Sequence, residues 1–180
     1  IDAWLGHSVE ADLFVIKTDI YTKASVKMIA HQSHTEIRAM HPGYYRSFIF
    51  DHVWFPLSWL HMCFTVESGS GRVVFVANGE VLVDETGHQY AMVPADWTSG
   101  GVEDGLRIEL GHEKLGNYVI EEFDGMVSNL NIFSSSLSTE RMVAITGGEE
   151  CGAPGDYVSW EDSDWQLHSK ARLMMVDVLE

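Results

Sequence analysis

The stretch Phe64-Thr-Val-Glu67, Ser68-Gly-Ser-Gly71, Arg72-Val-Val-Phe-Val-Ala77, Asn78-Gly79, Glu80-Val-Leu-Val-Asp84 reads as three antiparallel strands in succession. Asn-Gly between two β-branched runs is the favoured two-residue hairpin loop, because both residues accept the positive φ that matches strand twist. Two or three strands cannot bury an apolar face by themselves, so the flanking sequence must supply the rest of a sheet.

It does so on both sides. Upstream, Leu13-Phe-Val-Ile16, Val26-Lys-Met-Ile-Ala30, Glu36-Ile-Arg-Ala-Met40 and Arg46-Ser-Phe-Ile-Phe50 are strand-like, with the turn His41-Pro42-Gly43 between the last two. Downstream, Leu106-Arg-Ile-Glu-Leu110 and Met126-Val-Ser-Asn-Leu-Asn-Ile-Phe133 continue the habit, the latter with apolar residues at alternate positions. Ser138-Thr-Glu-Arg-Met-Val-Ala-Ile145 breaks it. A Ser N-cap, an acid in the first turn and Gly147-Gly148 afterwards predict one short helix near 138–146. Tyr157-Val-Ser-Trp160 follows, and Trp165 to Asp177 reads as a long final strand. Short Val/Ile/Phe/Tyr/Trp runs punctuated by Gly, Ser, Asn and Pro are the pattern of an all-β sandwich.

Composition narrows the function classes. A chain of 180 residues, 46% of them hydrophobic, fits one domain over 1–180 with a substantial core. No apolar run approaches the roughly 20 residues a spanning helix needs. Eleven Lys and Arg against 27 Asp and Glu give a net charge of −16, which repels phosphate backbones and anionic lipid and argues against a nucleic-acid partner. The surplus suits calcium or cationic partners, and also an ordinary solvated surface. The chain opens at Ile1 without an initiator Met or a signal-peptide pattern, so it reads as processed or excerpted. Cys63 and Cys151 decide no redox compartment by their number, and no Asn-x-Ser/Thr sequon occurs.

Three blocks in order resemble the pentraxins and, more loosely, laminin-G-type domains. The first runs from Trp59-Leu-His-Met-Cys63 through Asn78-Gly79. The second is Ile108-Glu-Leu-Gly111-His-Glu113 with Phe123-Asp-Gly125-Met-Val-Ser-Asn129-Leu-Asn131-Ile-Phe133. The third is Leu137-Ser138 to Gly147-Gly148, then Val158-Ser-Trp160 and Trp165-Gln-Leu-His-Ser-Lys-Ala. Together they span roughly residues 57–176, and Ala3-Trp4-Leu5 stands where the family has an early strand. The resemblance implies a two-sheet antiparallel jelly roll, and the family's preceding edge strand is absent from this reading. It also implies a disulfide from the Cys63 position to that early strand, where Asp2 stands instead. Cys63 is left to pair with Cys151, to pair outside the chain, or to remain free.

Pentraxins hold two calcium ions with carboxylates and amides, so the resemblance implies calcium as the cofactor to look for. Glu113 matches the family glutamate, Glu121 replaces a later ligand, and Asp19 is the acid of the candidate first loop. Lys114 and Leu115 stand where the family has an amide and an acid, in a shortened acidic loop from Glu113 to Glu122. Calcium requires six to eight oxygen ligands, which this set does not fill for a double site.

Other chemistries find less support. The E-x-D-x-E arrangement of sandwich-fold glycosidases is absent, and Glu161-Asp162-Ser163-Asp164 reads as a surface turn. His31-Gln-Ser-His34, taken as one strand, would point its imidazoles to opposite faces, against a zinc site. His61 resembles a family position packed within the sandwich, which favours core packing over a Cys–His nucleophile pair with Cys63. No glycine pattern forms a nucleotide loop. Trp54, Trp97 and Trp165 are the candidate sugar-stacking platforms.

The expectation is therefore a secreted, lectin-like recognition module for a glycan or small anionic ligand, non-enzymatic and assembled as a homo-oligomer or larger complex. A non-catalytic structural subunit that uses the jelly roll for packing is the alternative.

Overall fold

The computed structural model describes residues 2–5, 10–18, 25–31, 34–41, 44–51, 58–67, 70–86, 106–110, 112–115, 118–122, 125–150 and 152–165. The strands are β1 (Asp2–Leu5), β2 (Glu10–Thr18), β3 (Ser25–His31), β4 (His34–His41), β5 (Tyr44–Asp51), β6 (Trp59–Glu67), β7 (Arg72–Ala77), β8 (Glu80–Glu85), β9 (Leu106–Leu110), β10 (His112–Leu115), β11 (Tyr118–Glu122) and β12 (Gly125–Ser128); the helix α1 is Thr139–Thr146. Two five-stranded antiparallel sheets form. Sheet I has the order β12-β1-β6-β7-β8, and sheet II the order β5-β4-β3-β2-β9. The chain passes between the sheets after β1, β5, β8 and β9, as a jelly roll requires.

Strand alternation builds the core between the sheets. Leu13, Met28, Ile37 and Phe50 of sheet II meet Leu60, Met62, Val73 and Phe75 of sheet I, all buried, with the Phe50 and Phe75 rings stacked at 4.4 Å. The run Val73-Val-Phe-Val-Ala77 is buried at every position because β7 is covered on both faces. Its other face, Val74 and Val76, packs against Met142 of the helix.

The helix forms as the sequence predicts. Ser138 has extended dihedrals and its hydroxyl accepts from the Arg141 amide at 3.3 Å, with Glu140 in the first turn. Asn78 and Gly79 take φ of 48° and 79°, and the Asn78 side chain accepts from the His61 amide at 3.0 Å, fixing the turn to β6.

Three expectations change. The strand foreseen over Met126–Phe133 stops at Ser128, because Asn129 takes a φ of 51° and turns the chain, leaving Ile132 a single bridge to Val158. The segment 113–122 contributes a two-stranded hairpin, β10–β11, in place of a loop. The early strand β1 is central, between β12 and β6. The final strand from Trp165 to Asp177 lies, beyond Trp165, outside the described residues.

Candidate functional site

Helix α1 packs on β6, β7 and β8, so it covers the outer face of sheet I. The outer face of sheet II has no such cover from a helix among the described residues, and its composition is unusual. With Met28, Ile37, Phe48 and Phe50 turned into the core, alternation sends Lys27, Ile29 and His31 of β3, His34, Glu36 and Arg38 of β4, and Ser47, Ile49 and Asp51 of β5 outward. Register then sets them in rows: Lys27, Arg38 and Ser47 lie side by side, as do Ile29, Glu36 and Ile49.

Contacts knit these rows together. Arg38 donates from Nε to Glu36 Oε1 at 3.1 Å and from Nη2 to Oε2 at 2.7 Å, a bidentate pair between alternate residues of one strand. The Ser47 hydroxyl donates to Glu36 Oε1 at 2.5 Å, and His31 Nε2 lies 3.5 Å from Oε2. The His31 and His34 rings stack at 4.1 Å. They do not lie on one strand, as their spacing suggested; they end β3 and begin β4, adjacent antiparallel strands, and share the same side.

Burial is the second feature. Lys27 is 4% exposed, Glu36 6%, and Glu109, at β9 in the row of Lys27 and Arg38, 7%. Charges held this dry cost several kcal/mol each unless paired and hydrogen-bonded. By register Glu109 stands three strands from Glu36, about 14 Å of sheet. A glycosidase pair is separated by about 5–9.5 Å.

The sequence-predicted site residues are only partly brought together. Glu113 and Glu121 lie on facing strands. The ladder of β10 and β11 shifts between His112↔Glu122 and Lys114↔Val119, so Glu113 stands across a bulge from Ile120 and Glu121. Asp19, Trp54 and Trp97 lie outside the described residues. Trp165 is half-buried against the core; its indole N–H donates to the Trp160 carbonyl at 3.1 Å and its ring meets that of Trp160 at 4.9 Å.

Among the described residues, no group of three or more His, Cys, Asp or Glu side chains is placed to hold a metal ion. Two glutamates, followed at the next two ligand positions by a lysine and a leucine, sit on a hairpin whose Lys114 and Leu115 are ladder-paired to Val119 and Tyr118. That set falls short of the oxygen shell calcium requires.

A shallow pocket opens on the opposite side, beneath the helix end, lined by His61, Cys63, Asn129, Asn131, Phe133 and Thr146. His61 therefore faces the helix side and not the interior of the sandwich. Burial pushes the free Cys63 thiol up, away from the reactive thiolate. Asn131 spends its amide on structure, accepting from the Gly155 and Trp160 amides at 3.3 and 3.0 Å and donating to the Asn129 carbonyl at 3.2 Å.

The sequence reading missed the polar face of sheet II. Its signal was the recurrence of charged residues at every second position of consecutive strands, which equally describes a solvated surface. Burial alone separates the two.

Known proteins share both sequence and fold with this chain. No family model matches it. Pentraxin-related protein PTX3 of Mus musculus is 32% identical over 120 residues, covering 63% of this chain and 29% of that protein. The Homo sapiens PTX3 is 32% identical over 124 residues, with 63% and 29% covered. The chain thus spans under a third of the length of these curated relatives. Among solved structures, a native heptameric SAP-like pentraxin from Limulus polyphemus matches at a TM-score of 0.65 and 15% identity, over 91% of this chain and 75% of that one. The Ruminococcus gnavus sialidase CBM40 bound to α2,3 sialyllactose matches at 0.59 and 11% identity, over 81% and 80%. Sequence match and structural match point the same way: the chain folds as a jelly roll and is similar to the pentraxins.

Proposed function

We propose that the chain is a non-enzymatic, extracellular recognition module that binds a glycan or small anionic ligand on the outer face of sheet II. The observation that supports this reading best is the buried Glu36 carboxylate bonded by both Arg38 and Ser47, beside the buried Lys27, on that face. Buried ion pairs are replaceable by apolar residues at little or no cost in stability, so a fold has no need of them. Ile49, 61% exposed and directly across from Glu36, adds an apolar shelf of the kind a sugar ring packs on.

Binding to a glycan array, with and without chelator, tests the reading: retention of a defined glycan set supports it, and no binding in either condition removes it. A second reading, a non-catalytic assembly subunit, draws on the deficient calcium donors and on the heptameric state of the Limulus neighbour. Light scattering addresses that one, and a strictly monomeric species at micromolar concentration counts against it.

A further inference from the structure

Tyr157 stands apart from the other tyrosines of the chain. Asp156 precedes it, Glu161 and Asp162 follow within five residues, and no Lys or Arg lies within five on either side. The other five lack this combination: Tyr21 has Lys17 and Lys23 nearby, Arg46 follows Tyr44 and Tyr45, Lys114 precedes Tyr118, and Tyr90 has a single acid, Glu85, within reach. Tyr157 is also 55% exposed, so no part of the chain closes over it. Its amide donates to the Ile132 carbonyl at 3.1 Å, and its phenol has no partner among the described residues.

We propose that Tyr157 is an acceptor for enzymatic sulfation, with phosphoadenosine phosphosulfate as the donor. This inference draws on the extracellular part of the reading above, because transferases that sulfate tyrosine work in the secretory route. The phenol oxygen attacks the sulfur of the donor and forms the new S–O bond. The bond from sulfur to the donor's phosphate oxygen breaks, adenosine bisphosphate leaves with that electron pair, and the phenol proton passes to a base of the transferase. A cleft that holds so anionic a donor is basic, so it attracts an acceptor flanked by carboxylates and repels one beside Lys or Arg.

The fold presents this tyrosine outward. Gly155 lets the chain turn sharply beneath it, since a side chain there would collide with the Val158 and Ile132 carbonyls. The chain then bends at Asp156 and Tyr157 before the bridge between Ile132 and Val158 anchors it. On the N-terminal side the ties are at the long end of the hydrogen-bond range, from the Ala153 amide to the Glu150 carbonyl at 3.2 Å and from the Gly155 amide to Asn131 Oδ1 at 3.3 Å. Asp156 accepts from the Ser134 amide and hydroxyl, both at 2.7 Å, and these bonds, the amide first, hold its carboxyl below its usual value. The adjacent charge therefore persists in a mildly acidic compartment. Glu161 and Asp162 are exposed and available to the same basic cleft.

The test incubates the whole folded chain with a purified tyrosylprotein sulfotransferase and donor carrying radioactive sulfate, then locates the label by peptide mass mapping. The expected result is a single sulfate on Tyr157, and Tyr157→Phe abolishes incorporation. The double variant Glu161→Gln/Asp162→Asn alters two exposed acids without a bonded partner among the described residues, so its melting curve stays at the wild-type position. It slows transfer by about threefold or more, because the cleft reads their charge. No label on the native chain, label on a different tyrosine, undiminished incorporation into Tyr157→Phe, or an unchanged rate in the double variant overturns the proposal. Each of these leaves the recognition reading standing, since the assay involves neither a glycan nor a cell. A chain that the enzyme sulfates at Tyr157 but that cells retain would instead count against the extracellular reading alone.

Discussion

Thr146 joins the helix to the β7–β8 turn through Gly79: its hydroxyl accepts from the Gly79 amide at 3.1 Å while donating to the Met142 carbonyl at 2.8 Å. Gly79 has a φ of 79°, and a Cβ there would stand 3.1 Å from Gly147 Cα, a backbone atom that cannot swing aside. Thr146→Val, nearly isosteric, strands a half-buried amide and is expected to cost about 1 kcal/mol. Gly79→Ala adds left-handed strain of about 1–2 kcal/mol to a steric push on the helix end, and should cost more. Urea unfolding checks both, as a lower midpoint at unchanged slope.

That joint also shows what the sequence makes legible. Asn78-Gly79 fixes a turn by its own backbone preferences, and Ser138 with Glu140 fixes a helix start; both are local, and both can be read from neighbouring residues. Asn129 defeats the alternation of Met126–Phe133 because a single positive φ ends a strand without changing the apolar period. His31 and His34 mislead for a related reason: one ends a strand and the other begins the next, which spacing alone does not reveal. The Glu36–Arg38 pair is harder still. Whether a charged sheet face is solvated or covered depends on what packs over it from distant sequence, and no local pattern encodes that. Of the six residues singled out for ligand or metal, Glu113 and Glu121 stand on facing strands of a hairpin that reads as a loop, and Trp165 is engaged with Trp160.

The Arg72–Asp84 pair ties β7 to β8 and, through Thr139, to the helix N-terminus. Arg72 donates from Nε and Nη2 to the Asp84 carboxylate, both at 2.8 Å, and from Nη2 to Thr139 Oγ1. The hydrogen bond from Arg72 is the leading cause that holds the Asp84 carboxyl below its usual value of 3.8. A group whose folded value is depressed adds stability that is fully present above its unfolded value and is lost as pH falls through the folded one. Asp84→Asn is therefore less stable than wild type at neutral pH. The gap should close progressively below about pH 4. Urea midpoints from pH 7 downward read that gap directly, and a difference that persists undiminished in acid would mean the pair acts through packing alone.

Cys63 lies where a nucleophile pair with His61 was conceivable, yet its burial and raised pKa describe an inert thiol. In a Cys151→Ser background at pH 8, iodoacetamide should alkylate the native chain at least about tenfold more slowly than the urea-unfolded chain. Comparable rates would indicate an accessible thiolate and return the Cys–His pair to consideration.

The Glu36–Arg38 pair makes a stability prediction that no ligand is needed to test. Removing Arg38 leaves Glu36 charged in a site only 6–8% exposed, without the two charge-assisted bonds from the guanidinium that help offset its desolvation. Arg38→Met should therefore destabilise by about 3 kcal/mol, the lower end for breaking a buried pair, since Arg38 itself is a quarter exposed. Glu36→Met should cost less than Arg38→Met, because Arg38 can turn its charge toward water while a stranded Glu36 cannot. The double variant removes both charges and restores apolar contact over Ile29, and should return to within about 1 kcal/mol of wild type. Such a cycle, with strong coupling between the single changes and a near-neutral double, would show that the pair contributes little net stability. Its presence on the sheet would then need another explanation, and ligand recognition is the one its geometry supports. A double variant as unstable as the sum of the singles would instead make the pair a structural element of sheet II.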